Sequence, residues 1–105
     1  MATVIWNKRP KLIWRELLLS GHQDFGTTTA KRFVKKTDEI VARLEKHPES
    51  GFPESLLKSR KYLYRAVHLL PHHKIIYRYY NTSDTVRIVD IWDTRMNPDK
   101  LRKRI

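Results

Sequence analysis

Apolar side chains recur at two different periods along this chain, and the change of period divides it. Ala30, Phe33, Val34, Thr37, Ile40, Val41 and Leu44 fall at helical i, i+3, i+4 spacing, with Lys31, Arg32, Lys35, Lys36, Asp38, Glu39, Arg43 and Glu45 between them. The pattern predicts a helix over about 28–47, capped by one of Thr27–Thr29 and terminated at Pro48. Leu12, Ile13, Trp14, Leu17 and Leu18 predict an earlier helix over about 10–20, with Pro10 in its first turn and Ser20-Gly21 at its end. Thr3–Trp6 reads as a short strand before Asn7.

From Tyr62 the pattern changes. Three runs rich in β-branched and aromatic residues, Tyr62–Leu70, Lys74–Tyr80 and Thr85–Asp93, are separated by Pro71-His72-His73 and by Asn81-Thr82-Ser83-Asp84. Connections this short join antiparallel strands, so the runs predict a three-stranded meander. Ile75-Ile76 and Ile88-Val89 place apolar groups on both faces, as in strands covered on both sides. Asn97-Pro98 suits a turn or helix start, leaving a short basic helix or a frayed tail. The order is β-α-α-β-β-β with an optional C-terminal helix. The class is α+β, an antiparallel sheet packed by a helical hairpin, in one domain over 1–105.

Charge sharpens the picture. The chain has 22 Lys and Arg against 11 Asp and Glu, a net +11. Residues 1–54 carry 10 basic and 7 acidic groups, whereas residues 55–105 carry 12 and 4. An excess concentrated on the meander and tail favours an anionic partner: nucleic acid, a ribosomal surface, an acidic protein or anionic lipid. No cysteine is present, so disulfide and thiolate chemistry are excluded. No apolar run approaches the roughly 18–20 residues of a membrane helix, and the N-terminus lacks a signal-peptide core, so no membrane is expected and the cytoplasm is the default compartment.

Most catalytic signatures fail on context. Asp24-Phe25-Gly26 spells a kinase motif with nothing else of a kinase around it. His68 and His72 have the spacing that aligns two imidazoles on a helix, but they lie in strand and turn, so no metal site or cofactor is expected; His72 and His73 read as turn residues. The serines lack a hydrolase motif. A cationic constellation is better supported. Lys58, Arg60 and Lys61 enter the first run, Arg65 lies within it, Lys74 and Arg78 belong to the second, and Arg95 follows the third. Tyr62, Tyr64, Tyr77, Tyr79 and Tyr80 are interleaved. Cations bind phosphate and aromatic faces stack on unpaired bases, although Tyr77, between Ile76 and Arg78, is expected to pack inside the sheet.

On these residues the chain resembles the RelE/ParE family of bacterial toxins from type II toxin–antitoxin modules. The resemblance spans essentially the whole chain. It rests on the element order, on L-E-K-H-P-E-S-G closing the second helix, and on K-I-I-Y-R at 74–78 followed by V-R-I-V-D-I-W-D-T-R at 86–95. D-T-R-M-N-P-D-K-L at 93–101 is similar to the plasmid-stabilisation branch. The resemblance implies a growth-inhibiting toxin neutralised by a cognate antitoxin.

Its target divides by branch. RelE-like members cut mRNA on the ribosome without a metal, and ParE-like members poison DNA gyrase. For RelE-type cleavage the resemblance assigns catalytic positions to Arg65, Lys74 and Arg95, and target binding falls to Lys58, Arg60, Lys61 and Arg78. Two positions depart: Val67 replaces a family Lys, and Leu101 stands where a C-terminal Tyr is expected. Valine and leucine supply neither charge nor proton, so cleavage needs Tyr64, His68 or His72 as a substitute. The ParE-like, gyrase-directed reading is therefore preferred. The alternatives are a RelE-like mRNA interferase, and a non-toxic basic adaptor that binds RNA or an acidic protein.

Overall fold

The computed structural model describes residues 1–105. β1 (Thr3–Trp6) leads into α1 (Lys8–Phe25) and α2 (Thr27–Lys46). A two-residue strand β2 (Phe52–Pro53) and a 3-10 turn (Ser55–Leu57) precede β3 (Arg65–Leu70), β4 (His73–Tyr80) and β5 (Thr85–Asp93), and α3 (Pro98–Arg104) closes the chain. The sheet order is β1-β5-β4-β3-β2.

The meander forms as its turn signals predict, with β3–β4 and β4–β5 antiparallel. The sheet as a whole is mixed, because β1 joins the free edge of β5 in parallel with Val4 beside Val86. The helical hairpin is the crossover that returns the chain in that direction. The expected strand at Tyr62 begins instead at Arg65. There β3 is flanked on one side by Tyr77 and Ile76 of β4 and on the other by β2, which pairs Phe52 with Ala66 and Pro53 with Arg65. The Tyr64 carbonyl still accepts the Glu54 N–H at 2.8 Å, but residues 62–64 do not continue the ladder along β4. His73, expected in the turn, opens β4 opposite Asp93.

The first helix runs five residues past its expected end at Ser20. Gly21 stays helical, and the break comes at Gly26, whose φ of +88° suits glycine. α2 matches its prediction within a residue at each end, and buries Phe33, Thr37, Ile40 and Leu44.

Two cores result, one on each face of the sheet. Under the hairpin, Phe33, Ile40 and Leu44 meet Leu69, Ile75, Tyr77, Val86, Ile88 and Ile91, with Ile13, Trp14, Leu17 and Leu18 of α1 at the margin. Trp14 stacks on Phe33 and donates its indole N–H to Thr37 Oγ1 at 2.8 Å, tying α1 to α2. On the outer face, Leu57, Ala66, Ile76, Trp92 and Leu101 form a second cluster. The tail is thus a packed helix, N-capped by Asn97 and anchored by fully buried Leu101.

Candidate functional site

Strand alternation assigns each cation a face. On the outer face β3 presents Ala66 and His68, β4 presents Lys74, Ile76, Arg78 and Tyr80, and β5 presents Arg87, Asp90 and Trp92. Arg65 pairs with Tyr77, which points into the hairpin core, so it lies on the opposite face from Lys74.

The three candidate catalytic cations are not brought together, and each is engaged locally. Arg65 donates from Nη1 to the carbonyls of Glu49 (3.0 Å) and Gly51 (2.9 Å), clamping the loop after α2. Tyr77 supports the same loop, accepting the Gly51 N–H at 2.9 Å on its hydroxyl. Lys74 is ion-paired to Glu54, a carboxylate buried at the edge of the outer core. Arg95 chelates Asp93, its Nε and Nη2 each 3.1 Å from a carboxylate oxygen. These bonds, with that from the Arg95 backbone N–H, hold the Asp93 carboxyl down to about 2 and raise Arg95 in turn. His73 lies 3.9 Å from Asp93, yet burial pushes its imidazole below the ordinary histidine value.

The candidate substitutes are likewise dispersed. His68 is exposed, faces Lys74 in register, and tilts against Phe52 with ring centroids 5.3 Å apart. His72 lies in the turn, where its carbonyl accepts from the N–H of Thr94 at 2.8 Å. Tyr64 packs partly buried against the outer core. Val67 packs against the hairpin core.

The expected binding cations converge better. The Arg78 guanidinium lies 3.5 Å from the centroid of the Tyr62 ring and 4.1 Å from that of Tyr80. The Lys61 ammonium lies 5.5 Å from the centroid of the same Tyr62 ring. Arg60 reaches the tail, donating to the Arg102 carbonyl at 2.5 Å, and Lys58 stays exposed. Lys61, Tyr62, Arg78 and Tyr80 thus form a cation–aromatic patch on the outer face, with Lys61 and Tyr62 exposed and Arg78 and Tyr80 half-buried.

Two features escaped sequence reasoning. Glu54 follows a proline in a loop-like stretch, and only the fold carries it to Lys74. The Asp90–Arg104 pair spans β5 and α3 at 2.6 Å. Asp90 is fully buried, which raises its carboxyl above the ordinary value against the pull of Arg104 and Arg9. A charged residue inside the V-R-I-V-D-I-W run, followed by a basic tail, was the available signal.

On the hairpin side, a cleft of about 680 Å³ opens between the helix tips and the ends of β3 and β5. Leu17, Leu18, Phe25, Leu69 and Leu70 line it, and Arg32, Lys36 and Arg95 stand at its rim. Phe25 is 73 % exposed there.

A family model described as the ParE toxin of type II toxin–antitoxin system, parDE, matches residues 4–98. Among solved structures, the chain is similar to one described as the chromosomal ParDE TA system from P. aeruginosa, at 15 % identity and a TM-score of 0.66 over 89 % of this chain and 96 % of that one. It is similar to a metal-bound toxin from Helicobacter pylori, at 19 % identity and a TM-score of 0.67 over 90 % and 97 %. It is also similar to the YoeB dimer from Staphylococcus aureus, at 15 % identity and a TM-score of 0.58 over 85 % and 92 %. No curated protein matches its sequence.

Proposed function

The chain belongs to the ParE toxin family of type II toxin–antitoxin systems, and from that premise we propose that it arrests growth by binding DNA gyrase rather than by cutting RNA. One observation carries this reading: every cation that RNA cleavage would enlist already has a structural partner. Lys74 is neutralised by Glu54, Arg65 is committed to two loop carbonyls, and Arg95 to Asp93. Transition-state stabilisation requires preorganised charge aimed at one reacting phosphate. These three groups are divided between two faces, and Leu101 is sealed in the outer core. What remains at the surface without a carboxylate partner is the Lys61–Tyr62–Arg78–Tyr80 patch.

Toxins of this kind bind a cognate antitoxin. We assign that contact to the cleft between the helix tips and the sheet, filled by an acidic amphipathic segment of the antitoxin. Its apolar side would cover Phe25 and its acids would meet Arg32 and Lys36.

The second reading, ribosome-dependent mRNA cleavage, draws support from His68 standing opposite Lys74 on the outer face. Primer extension on translating ribosomes separates the two. The binding toxin halts growth on induction yet leaves no codon-positioned cuts. Cuts that disappear in Lys74→Ala and Arg95→Ala would replace it with the nuclease, and robust growth at confirmed soluble expression would favour the basic adaptor.

A further inference from the structure

A second cationic site lies away from the aromatic patch, where the start of α1, β5 and the end of α3 meet. A basin of about 610 Å³ is lined there by Lys8, Arg9, Leu12, Val89 and Arg104, and no acidic side chain lines it. Arg87, from the adjoining position of β5, reaches this corner and donates from Nη1 to Asn7 Oδ1 at 3.0 Å. Asp90, whose charge also acts on Arg9, is fully buried and already paired with Arg104. Lys8, Arg9 and Arg87 therefore have no carboxylate partner, and the Nε of Arg104 is buried without an acceptor.

Apart from Arg104, which holds Asp90, this grouping adds no ion pair to the fold. Like charges crowd together, and Lys8 and Arg9 occupy a helical first turn, where positive charge opposes the helix dipole. Asn7 makes no side-chain bond to the helix it precedes and holds Arg87 instead. Leu12, Ile13 and Val89 line the basin between these charges.

We propose that this basin is a phosphate-binding site that takes the backbone phosphates of a nucleic acid. Lys8 and Arg9 contact two successive phosphates from the rim, and Arg87 and Arg104 set the potential from beneath. The site is open and shallow, as a polymer passing across the surface requires. It neighbours the aromatic patch through Arg87, the cross-strand partner of Arg78. The inference does not depend on whether gyrase or the ribosome is the toxin's target. Free phosphate, as in a nucleotide, is the other source of the same chemistry.

The test uses the full chain and a fluorescent DNA duplex of about 20 base pairs, followed by anisotropy across a salt series. Both Lys8 and Arg9 are exposed, so Lys8→Gln/Arg9→Gln leaves the fold intact. Arg104 is spared because it holds buried Asp90. The double variant should bind about tenfold more weakly at low salt, and its salt slope should fall by about two, one per lost phosphate. Lys31→Gln/Lys35→Gln, the same charge change on α2, should cost less than about threefold. Equal losses in the two variants would reduce the site to bulk charge and overturn it, as would absence of duplex binding together with absence of pyrophosphate binding. Pyrophosphate binding that depends on Lys8 and Arg9, with duplex binding that does not, assigns the basin to free phosphate. Displacement of the duplex by poly-glutamate as effectively as by unlabelled DNA would overturn the proposal in favour of an acidic protein surface.

Discussion

Lys74 and Glu54 form an ion pair inside the outer core, with side chains 12 % and 1 % exposed. Glu54 also accepts the N–H of Leu56 at 3.3 Å, so one carboxylate fixes both the 3-10 turn and the β4 lysine. Removing one partner strands the other charge in a dry environment. Glu54→Ala should therefore cost about 3–5 kcal/mol in urea unfolding, whereas Glu54→Leu combined with Lys74→Met should recover most of that loss. A Glu54→Ala protein as stable as the parent would mean that Lys74 is free, and would weaken the case against RNA cleavage.

Gly51 answers to space rather than to backbone angle. A Cβ placed there would lie 2.6 Å from the Tyr77 hydroxyl and 2.9 Å from the Ala66 carbonyl. Gly51→Ala should destabilise by about 1–3 kcal/mol, through displacement of the loop that Arg65 and Tyr77 hold. Tyr77→Phe should cost about as much, because the buried Gly51 N–H loses its acceptor. Thermal melts of the two variants check this, and unchanged midpoints would contradict the loop account.

Two carboxyls in one strand should titrate far apart. Asp93, hydrogen-bonded by Arg95, sits at about 2, and buried Asp90 sits above the ordinary carboxyl value. The depressed Asp93 adds stability that is full above its unfolded value near 4 and disappears as pH falls toward 2. The raised Asp90 acts in the opposite sense: the folded state holds its proton more tightly, so stability falls as pH rises through the interval between its unfolded and folded values. Side-chain carboxyl NMR should show Asp90 protonating first on acidification, and Arg95→Gln should move Asp93 back up.

Much of the fold was legible because its signals are local. Turn residues delimit β4 and β5, Pro48 stops α2, and helical spacing places Phe33, Ile40 and Leu44 inside. The failures required distant partners. Gly21 reads as a helix stop, but a glycine is tolerated where the neighbouring turns, Leu17 and Leu18 among them, pack on the core. The parallel pairing of β1 with β5 follows from the crossover, which no local pattern records. The cationic residues were found by type, but their availability was not: Arg65 and Lys74 lie on neighbouring strands and on opposite faces of the sheet, each with a partner from the 49–54 loop. The Arg78 sandwich required residues 62–64 to leave the strand they were expected to join.

The antitoxin contact makes a kinetic prediction. If an acidic segment is drawn to the rim cations of the cleft, the association rate should fall steeply as salt rises from about 50 to 500 mM, because screening shortens the range of steering. Phe25→Ala should act instead on the dissociation rate, since it removes apolar contact and no charge. Stopped-flow mixing with the cognate antitoxin reads both. Association kinetics that ignore salt would remove the electrostatic part of the assignment.

The central claim is that this fold works by binding gyrase. Its most direct measurement is plasmid supercoiling by purified gyrase with the purified chain added, followed by a denaturing quench that reveals trapped cleavage complexes. The account predicts loss of supercoiling and accumulation of cleaved plasmid at near-stoichiometric toxin, with Arg78→Ala weakening the effect and Lys74→Met, combined with Glu54→Leu, leaving it in place. Undiminished supercoiling and no cleaved plasmid at a large molar excess of folded toxin would contradict it.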